Sequence, residues 1–567
     1  MATIEPPPEF DLRRAFVAVQ GRFGHREVHY RRGGRGPVVL LLHQSPQSSR
    51  EMESLIRQWG SDFLLIAPDT PGYGFSTPLC RNGRPVSAAT VDDIAIATVE
   101  FLDAIGIDRC AVYGFHTGAS IGVALAERFP DRVSAIAANG LAILEADELA
   151  SIERNYLPAL EPRWDGGHLA WLWARLREQT IFFPWYDHRA AARLAFDVPP
   201  PDRLQRGVEE FLAAGDHYHV AYAAAFQAHV ERRLPRITTP LLVTGAARDP
   251  LAGHLARIGQ EVRAARSSTL SVEASTDADD AVRRAHAWLL KFAADRAEPA
   301  DQAGHDGDHG NDGPVSTCLG IPGRQVRMRS WTGPATSRHA VILLHPPAGS
   351  ATAMDAMARV VAAHATAHAV DLPGHGASDD LPAAELEGNV VEATARTLAR
   401  ALAPLIESMA RRGVAPTIVG VGSSAPLAIE LSRVSLPGRQ VLLLNAPHRD
   451  ATDIAEWLRD GLPPLTPVWF GGHLLEAWHI VRDGRLFDPW FRRRHPAARL
   501  TEPKLDPADI HREVRDLLRA NGHWQPLLGQ SLAHWRDEGP GAPAGPITII
   551  ADPAQLARAL EDNPPRP

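Results

Sequence analysis

The same ordered set of short motifs runs twice along this chain of 567 residues, and that repetition restricts the fold more than any other feature. An apolar run ending in His43, Gln44, Ser45 and Pro46 is answered by one ending in His345, Pro346, Pro347 and Ala348. Asp69, Pro71, Gly72, Gly74 and Ser76 are answered by Asp371, Pro373, Gly374, Gly376 and Ser378. The echo continues into less regular sequence. Trp164, Gly166, Gly167 and His168 match Trp469, Gly471, Gly472 and His473, and Pro184 with Trp185 matches Pro489 with Trp490. His217 and His229 recur as His523 and His534. A unit repeated in order points to a tandem duplication, each copy a domain of ordinary size. Between the copies, residues 295–314 are rich in Gly, Asp and Ala and nearly devoid of aliphatic side chains. Such a stretch cannot offset the entropy of ordering, so it reads as a flexible linker between domains at 1–294 and 315–567.

Within each copy, continuous runs of Val, Ile and Leu alternate with helical segments. Runs of that kind are buried on both faces of a mostly parallel sheet flanked by helices, so the fold class is α/β. Strands are predicted at 63–67, 133–138 and 240–245, and again at 441–445 and 546–550. Helical, tryptophan-rich inserts at about 145–236 and about 447–540 fall where they would cap the carboxyl ends of the strands. A net charge of −8 without basic runs argues against nucleic acid or an anionic membrane as partner. Cys80, Cys110 and Cys318 are too few and too scattered for a disulfide scaffold or a zinc cage, which fits a reducing compartment. The start of the chain has three consecutive prolines and no basic lead into an apolar core, and no apolar stretch approaches ~18 residues. A cytoplasmic protein with a small-molecule substrate, no metal and no cofactor is expected. Its two halves are expected to pack on each other, with a homo-oligomer possible.

Residues Cys110 to Ser120 read as a short strand, a sharp turn carrying Gly114, His116 and Gly118, and a helix of small residues. Taken with the His43–Pro46 and Asp69–Ser76 motifs, and with Asp249 and Pro250 after a later strand, this resembles the α/β-hydrolase superfamily in two copies. The resemblance implies a nucleophile at the turn, an acid after a late strand and a histidine bridging them. Asp249 matches the acid. His116 stands where the nucleophile is expected. After the final strand, Ala274, Ser275, Thr276 and Asp277 replace the family's Gly-His pair, and the next histidine, His286, belongs to a helix. Serine acyl transfer by the first half is therefore not expected.

An imidazole reaches farther than a serine hydroxyl, so His116 is expected to meet Asp249 directly and act as a general base. Oxyanion donors are expected from the backbone N–H groups of Gln44 and Thr117. Ser45 and Ser48 border that position, and from the insert His168, Arg177, Trp185 and His217 are expected to contact substrate. Packing of the insert explains the recurring histidines equally well. In the second half Gly422 takes the place of His116, so this copy reads as degenerate; Ser423 or Ser424 would substitute only if the turn shifted. It is also expected to lack a last strand and a bridging histidine. The expected function is cofactor-free hydrolysis of a small carbonyl-containing substrate, an ester, thioester or C–C bond. A lyase or decarboxylase using the same base and a noncatalytic small-ligand-binding or regulatory pseudo-hydrolase are the alternatives.

Overall fold

Each run of consecutive aliphatic residues forms a strand buried on both faces; all five residues of Val38–Leu42 and all seven of Val133–Asn139 are inaccessible. The computed structural model describes residues 12–265, 269–293, 313–435, 440–445, 451–538, 547–550 and 555–556. Chain contacts divide it into two units, and Pro162–Ala170 belongs to the second although it lies in the first half of the sequence. The predicted linker at 295–314 lies outside the described residues except for its last two positions.

In the first unit the strands are β1 (Arg13–Gly21), β2 (Gly24–Gly34), β3 (Val38–Leu42), β4 (Leu64–Pro68), β5 (Cys110–Phe115), β6 (Val133–Asn139), β7 (Leu241–Ala246) and β8 (Leu270–Ser275). They form one sheet in the order β1-β2-β4-β3-β5-β6-β7-β8. The β1–β2 hairpin joins antiparallel and all later neighbours pair in parallel. From β3 the chain winds outward to β4 and then returns to start β5 on the other side. That reversal opens a crevice at the carboxyl ends of β3 and β5, where His43–Ser45 and His116 lie. One face of the sheet packs Val39, Leu41 and Tyr113 against Ile56, Trp59 and Leu289.

Between β6 and β7 the chain forms helices Ala146–Asn155, Gly167–Gln179, Pro201–Ala214 and Tyr218–Phe226. The third shows why: Pro201 opens it, and Leu204, Val208, Phe211 and Leu212 recur at helical spacing on a buried face. Gly215, at φ 56°, ends it.

The second unit has β9 (Val315–Ile321), β10 (Arg324–Trp331), β11 (His339–Leu344), β12 (Thr366–Val370), β13 (Ala415–Val421), β14 (Val441–Leu444) and β15 (Ile547–Ile550). Their order, β9-β10-β12-β11-β13-β14-β15, repeats that of the first sheet with one strand fewer among the described residues. The likeness reaches individual hydrogen bonds. His43 Nε2 accepts from Thr70 N–H at 3.0 Å, and His345 Nε2 from Leu372 N–H at 3.0 Å. Asp69 accepts from the Ser49 and Phe75 N–H groups, and Asp371 from those of Ala351 and Ala377. The bridge between Phe182 and Arg193 has its counterpart between Phe487 and Ala498. Helices Ala451–Asp460, Gly472–Gly484, Pro507–Arg519 and Trp524–Glu538 occupy the second insert; residues 446–450 and 539–546 lie outside the described residues. No described helix is long and apolar enough to cross a membrane.

Candidate functional site

The turn after β5 is forced by close packing. A Cβ on Gly118 would collide with the Leu42 carbonyl, and one on Gly114 with the backbone of Gly118, so only glycine lets the helix Thr117–Arg128 start this near the strands. His116 between them takes φ 47° and ψ −107°, a conformation rare for a side-chain-bearing residue, with its N–H bonded to Asn139 O at 2.9 Å. Its side chain is thereby presented to the crevice. The ring stacks on Phe115 at 4.1 Å, and Nε2 lies 2.9 Å from Asp249 Oδ2.

Asp249 is itself held in place. Its N–H donates to Ala246 O at 2.9 Å, and Oδ1 accepts from Leu251 N–H at 2.8 Å. Burial acts to raise its carboxyl, but the His116 hydrogen bond and charge and the Leu251 N–H outweigh it, so the group sits below the ordinary carboxylate value. An ionised Asp249 accepts the Nε2 proton and leaves the Nδ1 lone pair of His116 as the basic site. Among the described residues Nδ1 makes no hydrogen bond, and the side chain is 20% exposed. Gly140, at φ 73°, supports this pose: a Cβ there would press on the His116 ring, 2.7 Å from Nε2. Gly140→Ala is expected to displace the His116 ring and to cost about 1 kcal/mol or more of stability, for the positive φ and the contact together, read by thermal melting.

The oxyanion position differs from the sequence expectation. The Gln44 N–H, expected to be open, donates to Glu51 Oε2 at 3.0 Å, and the Gln44 side-chain amide bonds Oε1 of the same residue. Burial pushes the Glu51 carboxyl up, against the Gln44 hydrogen bonds and the charge of His116. An acid therefore sits on the amide assigned to a substrate oxygen. Thr117, the other assigned donor, is buried, and its Oγ1 accepts from Ser45 N–H at 3.3 Å.

Ser45 and Ser48 are buried beside this loop. The Tyr73 hydroxyl bridges Ser45 Oγ at 2.9 Å and the Tyr218 carbonyl at 2.6 Å. Ser48 caps its own turn and hydrogen-bonds Glu210 from the insert. His217 is half-buried, its Cβ 3.3 Å from where a Gly72 Cβ would lie. Trp185 turns inward, its Nε1 donating to Tyr156 O at 3.0 Å. Two residues fall elsewhere. Arg177 is exposed and pairs with its neighbour Glu178 at 3.4 Å, because Ala170, Ala174 and Arg177 form the outer stripe of their helix. His168 belongs to the second unit, where its Nε2 lies 3.0 Å from His511 Nδ1 and its own Nδ1 accepts from Arg163 N–H.

Several groups at the site carry no motif. Besides Glu51 they include His254, whose Nδ1 lies 2.8 Å from Ile143 O and which acts electrostatically on Asp249. Arg175 is fully buried, its guanidinium 4.6 Å from the Phe211 ring and 5.3 Å from Trp185. Glu210 is pushed up to about 7 by burial, against Ser48 and Arg50. Arg50 forms its ion pair with Glu209. A carboxyl raised from 4.5 keeps its proton in the folded state while the unfolded chain loses it. Stability should thus fall by about 3 kcal/mol as pH rises from 4.5 towards 7, and Glu210→Gln should abolish that slope in melts at pH 5 and 8.

In the second unit Gly422, at φ 58°, occupies the turn after β13 and offers no side chain. Ser424 Oγ is bonded to the Leu344 and Val421 carbonyls, each at 2.9 Å.

Residues 37–269 match the family model of the alpha/beta hydrolase fold. The first unit thus has the α/β-hydrolase fold. The chain is similar to an uncharacterized hydrolase of Saccharomyces cerevisiae, 37% identical over 113 residues, 19% of this chain and 37% of that one. Haloalkane dehalogenase 2 of Mycobacterium tuberculosis is 32% identical over 138 residues, 24% of this chain and 44% of that one. The soluble epoxide hydrolase of a Corynebacterium is 32% identical over 98 residues, 17% of this chain and 32% of that one. The chain thus spans less than half the length of these relatives. An epoxide hydrolase of Vigna radiata aligns with a TM-score of 0.39 at 18% identity, covering 51% of this chain and 100% of that one.

Proposed function

We propose that the first unit is a cofactor-free enzyme acting on a small carbonyl-containing substrate, with His116 as general base. The observation that carries this reading is the 2.9 Å contact between His116 Nε2 and Asp249 Oδ2, which leaves Nδ1 as the acceptor of a proton from water or substrate. Asp249 then stabilises the imidazolium. With water as nucleophile the outcome is hydrolysis of an ester, thioester or C–C bond. The insert between β6 and β7 acts as a cap that shapes the substrate cavity. The second unit, with glycine at the equivalent turn, is a noncatalytic copy that arose by tandem duplication, and the protein works in the cytoplasm.

The position of Glu51 favours a second reading. Ester hydrolysis relies on two free N–H donors for the tetrahedral oxyanion, and Gln44 N–H is engaged by Glu51. Removal of a proton from a substrate carbon by His116 Nδ1, with expulsion of a leaving group from the neighbouring carbon as in a lyase, forms no tetrahedral oxyanion and relies less on that pair of donors. Exposing wild type and His116→Ala to a metabolite pool, with consumption followed by mass spectrometry, separates the readings. Products gaining water identify hydrolysis, and products without it identify the lyase. Turnover should resist a serine-directed fluorophosphonate and vanish in His116→Ala. Equal consumption by both proteins would overturn the proposal, and saturable binding without consumption would mark a ligand-binding protein instead.

A further inference from the structure

The second unit carries a half-open cavity of about 180 Å³ beside the turn that follows β13. Ser423 reaches it from that turn, and Trp457, Phe487, Trp490, Leu528 and Leu532 supply apolar wall. The leucines stand four residues apart on the helix Trp524–Glu538, so one face of that helix closes one side. Trp490 is fixed by its Nε1, which donates to Gly461 O at 3.3 Å, and by an edge contact to Phe491. We propose that this cavity binds a small neutral aromatic molecule bearing one hydrogen-bonding substituent, a phenol being the simplest case.

Size, polarity and charge each narrow the ligand. An apolar cavity of about 150 Å³ accepts benzene, so one ring with a short substituent fits here. Asp488 and Arg499 at the lining lie 3.6 Å apart, and Arg499 Nε already donates to Gly484 O at 2.9 Å. The two charges offset each other, which disfavours an anionic ligand. The Ser423 hydroxyl makes no hydrogen bond among the described residues, whereas that of Ser424 is bound to two carbonyls. Ser423 is thus the polar group available to a phenolic O–H. With Gly422 at the turn, no side chain there attacks the ligand, which leaves unchanged.

The inference is independent of chemistry at His116, and titration calorimetry on the full chain tests it, with tryptophan fluorescence as a second readout. Phenol is expected to bind saturably at millimolar concentration or tighter, at one site per chain, and benzoate at least about tenfold more weakly. Ser423→Ala should weaken phenol about tenfold while leaving benzene unaffected. Leu532→Trp should abolish binding by filling the cavity; if that variant fails to fold, Leu528→Phe repeats the test with a smaller insertion. His116→Ala should bind phenol as wild type does. No saturable phenol binding, binding that survives the filled cavity, or benzoate binding as tightly as phenol would each overturn the inference.

Discussion

Changing His116 to alanine is expected to lower kcat/KM by about 10²- to 10⁴-fold, the usual contribution of a positioned general base. Asp249→Asn should produce a loss of similar order, because an amide accepts the Nε2 proton without stabilising the imidazolium that forms next. The fall should appear in kcat more than in KM, since neither change removes the wall of the crevice. Melting temperature should change little in His116→Ala, whose side chain is 20% exposed. His116→Ser is the sharper variant. It restores the family's usual nucleophile, yet it should remain inactive and resist acylation by a fluorophosphonate. The residues after β8 offer no bridging histidine, and His286 Nε2 is committed to Asp62 at 3.1 Å. An active His116→Ser enzyme would mean that some other base already serves this turn.

Asp69→Ala is expected to be the most destabilising single change in the first unit, by about 3 kcal/mol or more. The carboxylate is fully buried and accepts from Ser49 N–H, Phe75 N–H and His29 Nδ1, each at 2.8 Å, and from Ser49 Oγ. Its removal strands several buried donors, each costing about 1–3 kcal/mol. Burial works to raise the Asp69 carboxyl, but His29, Arg31 and Ser49 together hold it well below the ordinary value of 3.8. Burial also takes His29 down to about 4, so above that pH the pair is a neutral imidazole donating to a carboxylate and not an ion pair. Both groups have folded values below their unfolded ones. The His29 contribution is lost as pH falls from 6.5 to about 4, and the Asp69 contribution as pH falls below 3.8. Calorimetric melting from pH 7 to 3 should show acid sensitivity in wild type, and Asp69→Ala should lose the limb below pH 3.8 while keeping the His29 limb, because burial still lowers that imidazole once the carboxylate that raises it is gone.

The aliphatic parallel strands and the turn at His116 were legible because each rests on local rules: unbroken aliphatic runs for strands, and paired glycines for a helix abutting a strand; the antiparallel hairpins β1–β2 and β9–β10, whose strands mix aliphatic residues with charged or polar ones, were not. The His116–Asp249 contact was legible because the reach of an imidazole is known and the acid follows a strand end. Glu51 was not. In sequence it is one acid in a short turn, and only the folding of that turn against the His43–Gln44 loop brings it to the Gln44 amide. Arg175 and Arg177 are separated by half a turn of helix, and choosing the inward one needed the buried pattern of Leu172, Trp173 and Leu176. The recurrence of His168 as His473 reflected a local device, since each Nδ1 accepts a backbone N–H five residues earlier.

A resident carboxyl on the Gln44 amide changes what kind of guest the first unit welcomes. An incoming molecule with a negative head would meet a like charge, or would have to evict a neutralised acid, in surroundings where water screens little. Uncharged guests face no such toll. If His116 acts as the proposed base, selection among them would fall to shape and to the acidity of the hydrogen offered to the imidazole.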